Sequence, residues 1–156
     1  MSIINPTKTN DKFMTPTLFG RWQTRIFLLA TVGVLITLPF HFGIIGPGRD
    51  SGAIFFRILL YIALFGLVWD LVYNYIQQFR WDRDWPAAFQ LFAGIWEAIF
   101  VGCLVKLFGL PGIKQDLPLV WFTIHYSLVW LGVFLASQSI IRLLFPRWRF
   151  RGGQLF

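Results

Sequence analysis

The sequence has one cysteine, two histidines and little charge: Asp, Glu, Lys and Arg make up only 13% of its 156 residues. The lone Cys103 excludes an intrachain disulfide. It also excludes dithiol redox chemistry and cysteine-rich zinc or iron–sulfur centres, which need several thiols. His41 and His125 are too few for the multi-histidine clusters of membrane di-iron desaturases. A soluble domain carries about 25% charged residues. Half that charge cannot clothe a water-facing surface, and a chain that is 56% hydrophobic and 19% aromatic is not disordered either.

What is present is four apolar segments, at about 26–45, 53–76, 87–108 and 118–141. Each is near the ~20 residues that carry a helix across ~30 Å of hydrocarbon. In lipid each segment must satisfy its own backbone hydrogen bonds, which favours helices, and no run shows the strand-like alternation of an outer-membrane barrel. The fold class read from this pattern is an all-α integral membrane protein, a four-transmembrane-helix bundle. Residues 1–20 form a short polar arm, 21–145 the helical domain and 146–156 a basic-aromatic tail. Gly46-Pro47-Gly48, Leu110-Pro111-Gly112 and Asp84-Trp85-Pro86 mark the turns, and Pro39 falls inside the first segment as a possible kink. That segment is too long for the apolar core of a signal peptide. Its end, Pro39 to Gly43, lacks a small-x-small cleavage site, so it is expected to be retained.

The net charge is +7. No nucleic-acid module accompanies it, so the excess reads as positive-inside bias and attraction to anionic lipid head groups. Four spans put both termini and the middle loop on one side, with Lys8, Lys12, Arg21, Arg25, Arg80, Arg83, Arg142, Arg147, Arg149 and Arg151. The other side holds Arg49, Arg57, Lys106 and Lys114. Ten cations against four place the termini on the cytoplasmic (or stromal) side of a bacterial inner or thylakoid membrane. Trp22, Trp81, Trp85, Trp121 and Trp148 fall at segment ends, where an aromatic belt belongs.

Ionisable residues at membrane depth are costly and call for a reason. Asp70, Glu97 and His125 are the candidates. Asp70, Tyr73, Asn74 and Gln77 share one helical face by their i, i+3, i+4, i+7 spacing. So do Gln90, Gly94, Glu97 and Val101; His125, Val129, Gly132, Ala136 and Ser139; and Ala30, Gly33, Thr37 and His41. These small or polar stripes are expected to face one another. Folding the second and third segments about their loop sets Asp70 level with Ala93 and Gly94, and Glu97 level with Gly66. His125 falls about one turn (~5.4 Å) outward of Glu97. The three form a diagonal line, read either as a proton or cation pathway or as a buried structural network with Glu97 neutral or paired to His125.

His41 and His125 are also weighed as ligands of a haem b between helices, although neither has a carboxylate at fixed spacing to orient it. The middle loop Arg80, Trp81, Asp82, Arg83, Asp84, Trp85 and the tail residues Arg147, Trp148, Arg149, Arg151 are expected to contact lipid head groups or a protein partner. No hydrolase elbow, zinc motif, phosphate loop or dinucleotide fingerprint is present. No catalytic residue, metal or cofactor is therefore expected. The expected role is interaction: an accessory or assembly subunit of a larger membrane complex, or a homo-oligomer. The alternative is a transport component using Asp70, Glu97 and His125.

Overall fold

The computed structural model describes residues 17–48, 52–79, 87–113 and 116–139. Among these it is all-helical. Helix α1 (Leu18–His41) is α-helical over Leu18–Leu28 and Val34–His41, with a π-helical turn, Leu29–Gly33, between them. Helix α2 is Gly52–Gln77. Helix α3 is α-helical over Ala87–Cys103 and ends in a second π-helical turn, Leu104–Phe108. Helix α4 is Leu119–Gln138. All four are long and apolar enough to cross a membrane, at 20 to 26 residues.

Local chemistry sets the ends. The Thr17 hydroxyl accepts from the Gly20 N–H at 3.1 Å and caps α1, as a β-hydroxyl before a first turn does. Past Pro39 the chain leaves the helix in a turn in which the Ile44 N–H bonds the Pro39 carbonyl at 2.9 Å. Gly43, Gly46 and Gly48 take positive φ there, a conformation open to glycine. Gly109 at φ 67° stops α3, and Pro118 precedes α4.

The first helix begins at Leu18, eight residues before the apolar run that starts at Ile26, so Arg21 and Arg25 lie inside it. Hydropathy alone cannot see a helix turn whose charges are neutralised from elsewhere. Residues 18–20 therefore belong to α1, with Thr17 as its cap, and not to a polar arm. The last helix closes at Gln138, three residues short of the expected 141.

Helix α1 packs on α2 and α4, α2 on α3, and α3 on α4, so the four form a ring with neighbours in sequence adjacent and antiparallel. We term the end where α1 begins and α4 finishes the lower end. The upper half is mainly apolar: Phe40, Phe55, Ile58, Val101, Val105 and Val129 interlock at its centre. Gly52 lets the start of α2 lie directly against the His41 carbonyl, where a side chain would not fit. At the top, Arg57 donates to the Gly112 carbonyl at 2.6 Å, and Lys106 to that of Leu117 at 2.6 Å. Two of the four cations expected on this side, Arg57 and Lys106, thus hold the α3–α4 connection, while Arg49 and Lys114 lie outside the described residues.

The expected stripes are inward on α2, α3 and most of α4, where only Ser139 is exposed. On α1 the register differs. Gly33 and Thr37 are buried as expected, but Ala30 is exposed and His41 only half-buried, with Leu29 and Phe40 inside instead. The π-helical turn inserts an extra residue into the helix and rotates the face that follows it.

Candidate functional site: a buried arginine between two carboxylates

In the lower half of the bundle, Arg25 of α1 lies between Asp70 of α2 and Glu97 of α3. Its Nε donates to Asp70 Oδ2 at 2.8 Å and its Nη2 to Oδ1 at 3.0 Å. Nη1 donates to Glu97 Oε2 at 2.9 Å and Nη2 to Oε1 at 3.1 Å. Each of the four carboxylate oxygens thus receives one N–H, and four of the guanidinium's five N–H groups are used. This two-sided fork suits a planar guanidinium and no other side chain. The Asp70 and Glu97 side chains are 5% and 7% exposed, that of Arg25 21%.

Glycine makes the crossing possible. At Gly66 of α2, a Cβ would collide with Arg25 Nη1 and Cζ. The room that folding the hairpin placed opposite Glu97 is therefore taken by an arginine from a third helix. Gly94 of α3 serves Trp130 in the same way, since its missing Cβ leaves space for the indole Nε1. Tyr126 donates to the Gly94 carbonyl at 2.8 Å.

One turn below Arg25, Arg21 donates to Gln77 Oε1 at 2.8 Å and lies within electrostatic reach of Asp70. Two arginines and two carboxylates balance in charge, as burial in a low-dielectric interior requires. Trp22 fixes the neighbouring face of α1 by donating to the Leu67 carbonyl at 3.1 Å. Tyr73 is buried beside Glu97. Asn74 is half-buried and outside this hydrogen-bonded cluster. At the lower rim, Gln138 donates to Gln90 Oε1 at 3.2 Å and joins α4 to α3.

His125 does not join the cluster. It is fully buried, its Nε2 3.0 Å from Thr37 Oγ1, and its ring lies against Phe40 and Phe55 with centroids 5.0 and 5.1 Å apart. The single Thr37 proton goes to the Gly33 carbonyl at 2.7 Å, so the hydroxyl oxygen must accept from His125. That assigns the proton to Nε2 and leaves Nδ1 bare, buried and without a hydrogen-bond partner.

The expected polar line is therefore corrected. Glu97 pairs with Arg25 and not with His125, and the diagonal line is broken because Arg25 stands between the two carboxylates. Of the two histidines weighed as haem ligands, His125 has its Nε2 engaged by Thr37 and its ring packed against Phe40 and Phe55. His41 packs against a different pair, Phe42 and Phe56. Arg80, Trp81, Asp82, Arg83, Asp84, Trp85, Arg147, Trp148, Arg149 and Arg151 lie outside the described residues.

Sequence reasoning missed the roles of Arg25, Arg21 and Tyr126, and it placed Thr37 on an inward face without its bond to His125. A signal for the arginines existed: two cations at i, i+4 ahead of an apolar run, with two unpaired acids on later segments and no acid on their own. Comparison with protein-family models, curated proteins and solved structures finds no match for this chain.

Proposed function

We propose that this chain is a non-enzymatic four-pass membrane protein that acts by interaction, as an accessory or assembly subunit of a larger membrane complex or as a homo-oligomer. Its termini would lie on the cytoplasmic or stromal side of a bacterial inner or thylakoid membrane, following the positive-inside bias. The observation that carries this reading is the mutual saturation of the Arg25–Asp70–Glu97 cluster. Its carboxylate oxygens are all engaged by one guanidinium, which leaves neither acid placed as a general base or an open ion ligand.

The outer surface supports the same reading. Only 22% to 39% of each span is buried within the bundle. Leu64, Val68, Phe92, Ile99 and Leu131 face outward, where lipid tails or neighbouring helices would cover them. The transport alternative through Asp70, Glu97 and His125 has weaker support, since Arg25 separates the first two and His125 bonds Thr37.

The test is native size. An epitope-tagged chain, extracted in mild detergent from its own membrane, should migrate with a much larger assembly or as a defined multimer, and partners should co-purify. Migration as a homogeneous monomer would refute the reading and direct effort to transport assays.

A further inference from the structure

Every charge in the cluster is satisfied only across helices. Helix α1 holds Arg21 and Arg25 and no Asp or Glu. On α2, Arg57 is thirteen residues from Asp70, about 20 Å at ~1.5 Å per residue, and donates to Gly112. On α3, Lys106 is nine residues from Glu97, about 13.5 Å by the same rise, and donates to Leu117. No helix of the three neutralises its own charge, and the chain order presents the arginines before either acid.

The first part of α1 is also suited to wait outside the hydrocarbon. Leu18–Leu28 carries Arg21 and Arg25 at i, i+4, with Phe19 and Trp22 beside them. A basic stripe flanked by aromatics is the composition of a helix that rests among head groups, where both guanidiniums stay hydrated. In the folded bundle the stripe is instead covered, with Arg25 locked over Gly66.

We propose that α1 is a conditional span: it is held across the membrane only when α2 and α3 present Asp70 and Glu97 to Arg25. The cluster then acts as a checkpoint on membrane integration as well as a brace. This inference rests on the membrane reading proposed above.

The test uses the full chain in its own membrane. A Pro47→Cys reporter in the exposed α1–α2 turn, in a Cys103→Ser background, is labelled with a membrane-impermeant maleimide from the upper side. Labelling is scored on newly made chain, before turnover acts. The parent should label fully. Asp70→Leu/Glu97→Leu strands Arg25, and labelling should fall about tenfold, in line with the partition penalty of an arginine somewhat off mid-span. Adding Arg25→Leu to that pair should restore it.

Unchanged labelling in the double variant would overturn the inference. So would a triple variant that stays as low as the double, because the loss would then come from packing and not from charge. If alkaline carbonate strips the parent chain from the membrane, the membrane reading itself has failed, an outcome distinct from both.

Discussion

Gly66→Ala tests the cluster with a single methyl group. That methyl would meet Arg25 Nη1 and Cζ head-on and approach Cδ at 3.1 Å. An arginine tip ordinarily swings aside at little cost. This one is fixed by four bonds to two carboxylates, and moving off Gly66 breaks at least the 2.9 Å Nη1–Glu97 bond. A hydrogen bond to a charged group contributes about 1.5–3 kcal/mol, and the partial exposure of Arg25 favours the lower end. Alanine returns up to about 1 kcal/mol through its better helix propensity. The net expectation is destabilisation by about 1 kcal/mol.

The control is the same change in an Arg25→Leu background. There the collision is gone and only propensity remains, so Gly66→Ala should stabilise by about 0.5–1 kcal/mol. The sign reversal is the diagnostic, a coupling of about 2 kcal/mol between residues 25 and 66. Reversible unfolding of the purified protein in mixed micelles, titrated with a denaturing detergent, measures all four corners of the cycle. Stabilisation of similar size in both backgrounds would refute the argument, since it would mean that Arg25 does not depend on the bare face of α2.

Gly94→Ala should destabilise by about 1–3 kcal/mol, because the added methyl meets the rigid indole of Trp130 in a packed interior; a neutral result in the same unfolding assay would count against that contact. Thr37→Val should lower stability by about 1–3 kcal/mol by stranding the buried His125 N–H. The pair Thr37→Val/His125→Leu should recover much of that loss, and a pair no better than the single variant would argue against the bond. Glu97→Gln leaves Arg25 with one anion fewer and should cut accumulation of the protein in the membrane; if the protein instead accumulates normally and function disappears, the proton-relay reading gains. Deleting residues 147–156 should weaken association with partners in co-purification, and an unchanged complex would remove the tail as a docking epitope.

Composition and segment length made the four long helices legible, because helices long and apolar enough to cross a membrane show themselves as runs of apolar residues. The inward faces of α2, α3 and α4 were legible for a similar reason: Asp70, Tyr73, Gln77, Glu97 and His125 recur at helical spacing, and each is buried. What was hidden depends on relations between helices. Arg25 reads as an inner-flank cation under any local rule, since local rules count charge per segment and cannot see that Asp70 and Glu97 stand ready to neutralise it. The start of α1 moved with it, because a helix turn is tolerable inside the bundle only when its arginines are paired. The π-helical turn at Leu29–Gly33 was equally silent, as Leu-Ala-Thr-Val-Gly carries no breaker that announces an extra residue. Yet it is this turn that brings Thr37 to His125 and places Phe40 in the core. The two glycines that matter most, Gly66 and Gly94, were visible as small residues opposite the carboxyls, but not for their use: each admits a large side chain from a helix other than the one predicted to meet it. The partner of a buried acid is therefore better sought by asking which cation elsewhere in the chain lacks an anion on its own helix. In this chain that criterion singles out Arg21 and Arg25, because α1 carries two arginines and no acid while Asp70 and Glu97 lie on the two helices that follow it.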